Sequence, residues 1–329
     1  MKPLSNQQRL HLINTQQIHE ARMAACHHMQ DYAYGMRWKR IRGAEYLFRQ
    51  RDRGGNGKLL GRRSPETEKT LTQFLEGKVR AQERLAGLDA QLAEQARLNK
   101  ALRLARVPRV VARILRLLEE RNLLGTFSVL GTQALYAYEA AGGAHFLLEL
   151  IASGDIDLLY DTRRQLALTS TRLDGEGLLG LLKKADRSFE LVRKRGFRAA
   201  NAGQFMVDLI VAPRSMRESE PVTFAEGDLV ASEVPGLQWL INAPKLDAVA
   251  IDEDGFPAPM RAPDPRAFAL HKAWLSRQPE RNPLKKPRDL AQAKAVARLV
   301  REAMPHLGFE EAMSSLHGDV RAMRKLLDV

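Results

Sequence analysis

Two aspartates, one residue apart, interrupt an apolar run at residues 154–161, GDIDLLYD. Side chains in a strand alternate between faces, so Asp155 and Asp157 share one face while Ile156 and Leu158 take the other. Adjacent carboxylates repel, and each resists ionisation unless a positive charge sits between them. A chain with this pattern builds either a solvated edge strand with two exposed acids or a cation site on a sheet. Which of the two it builds depends on what lies on the neighbouring strands.

A third acid stands in the middle of another apolar run, QFMVDLIV at residues 204–211. Asp208 there calls for a partner, because aspartate is almost never fully buried alone. Upstream, the strand-like FSVL (127–130) runs into Gly131-Thr132 and then into a helical stretch, QALYAYEAAGG. Gly131 lets the backbone approach a phosphate closely, and Thr132 adds a hydroxyl at a helix N-terminus, where free N–H groups favour anions. Asp155 and Asp157 offer hard oxygen ligands that suit Mg²⁺ bound jointly with substrate phosphates. Asp208 on a neighbouring strand completes a two-metal site that activates an attacking hydroxyl and stabilises leaving pyrophosphate. Such chemistry rests on positioning and charge neutralisation.

Taken in order, LGT (130–132), DID (155–157) and VDL (207–209) resemble the Gly-Ser/Thr, Asp-x-Asp and third-acid motifs of the DNA polymerase β-like nucleotidyltransferase superfamily. WKRIRGAEYLFR, GRRSPETE, RAFALHKAWLS and KKPRDLAQA are similar to the pattern of a bacterial nucleotidyltransferase family of the NTP_transf_8 type, so the likeness covers most of the chain. The resemblance implies an α+β fold, with a mixed sheet and helices in the nucleotidyltransferase core. It also implies Mg²⁺ dependence and transfer of a nucleoside monophosphate from an NTP to an acceptor. By the same resemblance Lys272 reaches the triphosphate, with Lys245 a weaker candidate. Two features depart from the superfamily pattern: Thr132 stands where Ser is preferred, and the interval from Gly131 to Asp155 is long, as in toxin-like branches.

Three regions are expected: a basic, mainly helical region 1–125, a nucleotidyltransferase core 126–262 and a helical region 263–329. In the first, Asn6–Met36 reads as helix and the chain on either side of Gly43 as two short strands. RDRGGNGKLLGRR (51–63) reads as a mobile basic loop. Ser64-Pro65 then opens a helix to about Leu102, with Leu71, Phe74, Leu75, Val79, Leu85 and Leu88 on its apolar stripe. A second helix runs from Pro108 to Gly125. In the core, Asp155–Tyr160 is a strand, Leu178–Arg195 a helix, and Phe197–Ala199 and Gln204–Val211 strands; Pro221–Met260 mixes short β-like runs. Helices follow at Pro265–Arg277, Pro287–Ala303 and Phe309–Leu327.

Charge is what singles out the first region. Of the net +13, all lies in residues 1–125, with 25 Lys+Arg against 12 Asp+Glu; the remainder of the chain is balanced. That asymmetry fits a polyanionic partner, RNA or DNA, and an acceptor that is tRNA or another nucleic acid, with a protein or a small molecule as open alternatives. Arg37, Lys39, Arg40, Arg42, Arg49, Arg51 and Arg53 alternate with Trp38, Tyr46 and Phe48, which suits phosphate contacts with base stacking. It also suits a small aromatic core with solvated charges.

The sole cysteine, Cys26, rules out an intramolecular disulfide framework. No zinc-spaced cluster accompanies Cys26-His27-His28. The apolar runs are too short to span a bilayer and the N-terminus lacks a signal h-region, so a cytoplasmic protein is expected. Serine-hydrolase and P-loop motifs are missing. Two rival readings stay open: a non-catalytic nucleic-acid-binding protein with the same fold, and a toxin/antitoxin-type nucleotidyltransferase module.

Overall fold

The computed structural model describes residues 1–163, 166–214, 220–313 and 318–327, and the chain divides into two units, Ile13–Leu98 and Met1–Leu12 with Asn99–Val329. The division differs from the expected boundary at 125. Helix α3 (Arg109–Glu120) buries Val111, Ala112, Ile114, Leu115 and Leu118 in the main core of the larger unit, so the chain ahead of the sheet belongs to that unit.

The smaller unit takes most of two long helices, α1 (Asn6–Gln30) and α2 (Pro65–Ala101), with a three-stranded antiparallel sheet between them in sequence. The strands are β1 (Gly35–Ile41), β2 (Ala44–Gln50) and β3 (Gly57–Arg62). Strand β3 falls in the segment expected to be a loop: its glycines and cations mask a backbone that pairs along β2, from Tyr46 with Arg62 to Gln50 with Gly57. Helix α2 starts at Pro65 as its Ser64-Pro65 signal requires, and Ser64 Oγ accepts from the Thr67 N–H. Its seam is narrower than the expected stripe. Ala81 and Leu92 are buried, whereas Leu75 and Val79 point to solvent. The seam meets α1 where Arg22 pairs with Asp89 at 2.6 Å, and residues off the heptad positions rotate away from it.

In the larger unit the central sheet is built from β4 (Phe127–Leu130), β5 (Asp155–Tyr160), β6 (Glu190–Leu191), β7 (Arg198–Ala200), β8 (Met206–Val211) and β9 (Ser232–Glu233). Its order is β4-β5-β8-β7-β6, with β9 pairing β8. The sheet is mixed: β5 and β8 are parallel, and β4–β5, β7–β8 and β6–β7 are antiparallel. Helix α4 (Ala134–Gly142) follows a single 3₁₀ turn after β4, and α5 (Gly177–Ala185) precedes β6. The expected helix 178–195 stops ten residues early, because Asp186 turns the chain by accepting from the Ser188 N–H and hydroxyl.

After the sheet come α6 (Leu237–Asn242), the hairpin β10 (Lys245–Ile251) and β11 (Pro257–Pro263), α7 (Pro265–Arg277) and α8 (Lys286–Ala303). Asp264 caps α7 by accepting from the Arg266 N–H at 2.8 Å, with Pro265 in the first turn. The expected last helix is three short ones, Phe309–Met313, Gly318–Arg321 and Arg324–Leu327; 314–317 lie outside the described residues.

The two faces of the sheet are covered unequally. Phe127, Val129, Ile156, Leu158, Tyr160, Val207, Leu209 and Val211 face the main core. The opposite face carries a smaller cluster of Leu130, Leu159, Ile210 and Ala212 with Leu237, Leu240 and Ile241 of α6 and Ala267 of α7. Where that cover ends, the second face opens. No described helix is long and apolar enough to cross a membrane.

Candidate active site

The open end of that second face is where the three acids lie. Parallel pairing sets Asp157 of β5 directly beside Asp208 of β8, and Asp155 beside Met206. Asp155 and Asp157 share a face by alternation, and register adds Asp208 to it, so Ile156 and Leu158 go to the core as the sequence requires.

A cavity of about 390 Å³ opens over this face. Gly131, Thr132, Asp155, Asp157, Asp208 and Lys272, the six site residues expected from sequence, all line it. Leu130, Ile210, Leu237, Leu240, Phe268 and Leu275 supply an apolar side, and Arg198, Arg281, Lys285 and Arg288 supply cations.

Each side chain is held differently. Asp155 accepts from the Ser153 hydroxyl. Burial pushes the Asp157 carboxyl up to about 6; Asp155 and Asp208 add to the rise, while Lys272 and Lys285 oppose it. Asp208 is gripped end-on by Arg198, whose Nε and Nη2 donate to its two oxygens at 2.6 Å each. That fork holds Arg198 firmly charged, and the Asp155 and Asp157 carboxyls add to the effect.

Gly131 lies against Asp157. It sits at φ +62°, and a Cβ there would collide with Asp157 Oδ2. The absent side chain is therefore room for the carboxylate. Thr132 accepts through Oγ1 from Gln292 of α8 at 3.1 Å.

Lys272 lines the cavity but is spent in a buried network. Its Nζ lies 2.7 Å from Asp289 Oδ1, and Arg281 Nε lies 2.7 Å from Asp289 Oδ2. Burial lowers the Lys272 ammonium and Asp289 counters it. Lys245 is not at the cavity. It donates to the carbonyls of Leu240, Ile241 and Ala243 at 2.6–2.9 Å, tying down the end of α6, so Lys245 does not line the cavity as a triphosphate-binding lysine would. Arg288 donates to the Leu150 and Ala152 carbonyls, which fixes it at the rim.

Sequence reading missed Arg198, Arg281 and Asp289 as members of the site. Arg198 was within reach of inference: FRAANAGQFMVDL is two strands joined by a turn, and antiparallel pairing puts Arg198 opposite Asp208. Asp289 lies in the first turn of α8, is 3% exposed and bridges two cations.

Three carboxylates on one face form a hard-oxygen donor set of the kind Mg²⁺ takes. Among the described residues, however, no three His, Cys, Asp or Glu side chains converge closely enough to hold an ion. Arg198 occupies both oxygens of Asp208. The donor set fits a divalent cation chemically.

The model of the NTP_transf_8 family, described as nucleotidyltransferase, matches residues 109–318, which is most of the larger unit. The match does not reach the WKRIRGAEYLFR and GRRSPETE segments. No curated protein and no solved structure matches the chain.

Proposed function

The chain belongs to this nucleotidyltransferase family, and from that premise we propose that it transfers a nucleoside monophosphate from a Mg²⁺-bound NTP to an acceptor hydroxyl at the cavity over β5 and β8. One observation carries the reading: Asp155, Asp157 and Asp208 come into register on one face of two parallel strands, at the edge of an otherwise apolar cover.

In this reading Asp155, Asp157 and Asp208 hold the cation, which neutralises the triphosphate and favours the ionised acceptor oxygen. The acceptor oxygen bonds to the α-phosphorus as the α–β bridging bond breaks, and pyrophosphate leaves with the electron pair. Asp208 takes the hydroxyl proton and passes it to solvent. Lys285 and Arg288, at the cavity wall, complement the charge of the departing pyrophosphate. Lys272 acts from behind, its charge opposing the rise of the Asp157 carboxyl. The apolar wall of Leu237, Leu240, Phe268 and Leu275 suits a nucleobase.

The test is label transfer from α-labelled NTPs with Mg²⁺ and total RNA or lysate. Wild-type chain transfers label, and Asp155→Ala and Asp157→Ala each abolish it. Equal transfer by wild type and both variants sinks the proposal.

A further inference from the structure

Residues 31–63, outside the family match, carry ten Lys and Arg against three acids. The register of β1, β2 and β3 sorts these cations into two groups. The face holding Leu47 packs inward: Leu47 is fully buried, the Arg63 guanidinium lies 5.1 Å from the Trp38 ring centre, and that of Arg49 lies 4.5 Å from Phe74 of α2. Arg49 also donates to the carbonyls of Asp31, Ala33 and Gly35. Trp38, Arg49 and Arg63 are thereby engaged within the unit.

The opposite face is different. Arg37 stands opposite Phe48, which stands opposite Leu59; Lys39 stands opposite Tyr46, which stands opposite Arg62. Arg37, Lys39 and Arg62 are exposed, and among the described residues none of them has an acidic partner. Lys39 lies over Phe48, with Tyr46 half-buried and Leu59 exposed beside it. The sheet's own acid, Glu45, points to the other face and is held by Arg63 at 2.8 Å. Asp52, in the turn after β2, is occupied by Asn56. The outer face thus presents three cations without an acidic partner around the half-buried Tyr46 ring, with Phe48 buried beneath Lys39, and no carboxylate.

We propose that this outer face binds a single-stranded segment of nucleic acid, with phosphates against Arg37, Lys39 and Arg62 and a base against Tyr46. Charge complementarity selects a polyanion, and the Tyr46 ring among the cations selects one with unstacked bases. A duplex hides its base faces, and an anionic lipid surface has none to offer. The proposal rests on this unit alone and does not depend on the transferase reading.

The experiment uses the full chain and fluorescein-labelled mixed-sequence RNA of about 15 nucleotides, single-stranded or annealed to its complement, with DNA of the same sequences, heparin and anionic vesicles as parallel probes. Single strands bind more tightly than duplexes. The triple variant Arg37→Ala/Lys39→Ala/Arg62→Ala binds at least tenfold more weakly, and its log–log salt slope falls by about 2, three phosphates at about 0.7 each. Tyr46→Ala weakens binding about fivefold or more, the lower end of one lost stack. Asp155→Ala/Asp157→Ala binds as wild type does, which separates this outcome from failure of the transferase reading. Wild-type affinity in the triple variant overturns the proposal. So does equal binding of duplex and single strand, or binding confined to heparin or vesicles. Unchanged melting temperatures establish that the exposed substitutions leave the fold intact.

Discussion

Arg198→Met is the sharpest probe of the candidate active site, because it predicts a gain as well as a loss. Arg198 holds both oxygens of Asp208 at 2.6 Å, with the Asp208 side chain 7% exposed and that of Arg198 36% exposed. Breaking a fully buried pair destabilises by about 3–5 kcal/mol, and the solvent around Arg198 screens part of that, leaving about 2 kcal/mol. A divalent cation that recruits Asp208 must open the fork and give up the same amount. Without the guanidinium that opposition is gone, so Arg198→Met binds Mn²⁺ or Mg²⁺ about 30-fold more tightly, at 1.36 kcal/mol per factor of ten. In EDTA the same variant melts about 4–8 °C lower, since each kcal/mol moves a domain of this size by about 2–4 °C. Added divalent cation restores the lost stability. The assays are Mn²⁺ binding by electron paramagnetic resonance without nucleotide, and thermal melting with and without the ion. Arg198→Lys, which keeps the charge but loses the fork, falls between the two. Mn²⁺ affinity unchanged from wild type in Arg198→Met refutes the idea that the guanidinium holds the third ligand away from the metal.

Two further outcomes follow from local geometry. Gly131→Ala forces an alanine to φ +62° and drives its methyl into Asp157, so it displaces a carboxylate proposed to hold the cation; we expect loss of label transfer, weaker Mn²⁺ binding and about 1–3 kcal/mol of lost stability in urea. Full activity in that variant removes the steric role assigned to Gly131. His271 is held neutral down to about 3 by burial, with Lys272 and Arg281 adding to that effect and Asp289 opposing it. An unfolded histidine takes a proton near 6.5 and the folded one does not, so its contribution to stability falls as pH drops below that value. Between pH 7 and 5 wild type should lose about 2 kcal/mol more than His271→Phe in urea titrations, and parallel curves for the two would contradict the assignment.

The parts of this site that the sequence reveals, and the parts it hides, differ by charge sign, for a physical reason. A carboxylate in an apolar strand is conspicuous because desolvation forbids it without a partner, so DIDLLY and MVDLIV announce both their strands and their chemistry. Helix entries at Ser64-Pro65 and Asp264-Pro265 are equally open to reading, since a cap and a proline act within one turn. What escapes is whatever depends on register or on a partner far along the chain. Strand β3 was hidden by its glycines, and the overlong helix 178–195 by an Asp186 turn that competes locally with helical bonding. The cations are the hardest to place. With 52 Lys and Arg in the chain, most of them solvated, residue type alone cannot say which one meets an acid. Lys245 and Lys272 sit in similar sequence settings, yet one ties down a helix end and the other balances Asp289 beside the cavity. Arg198 is identified only by counting back along a hairpin from Asp208. In a site of this kind the acids can be read from burial alone, while the cation that pairs with one of them is found through strand register.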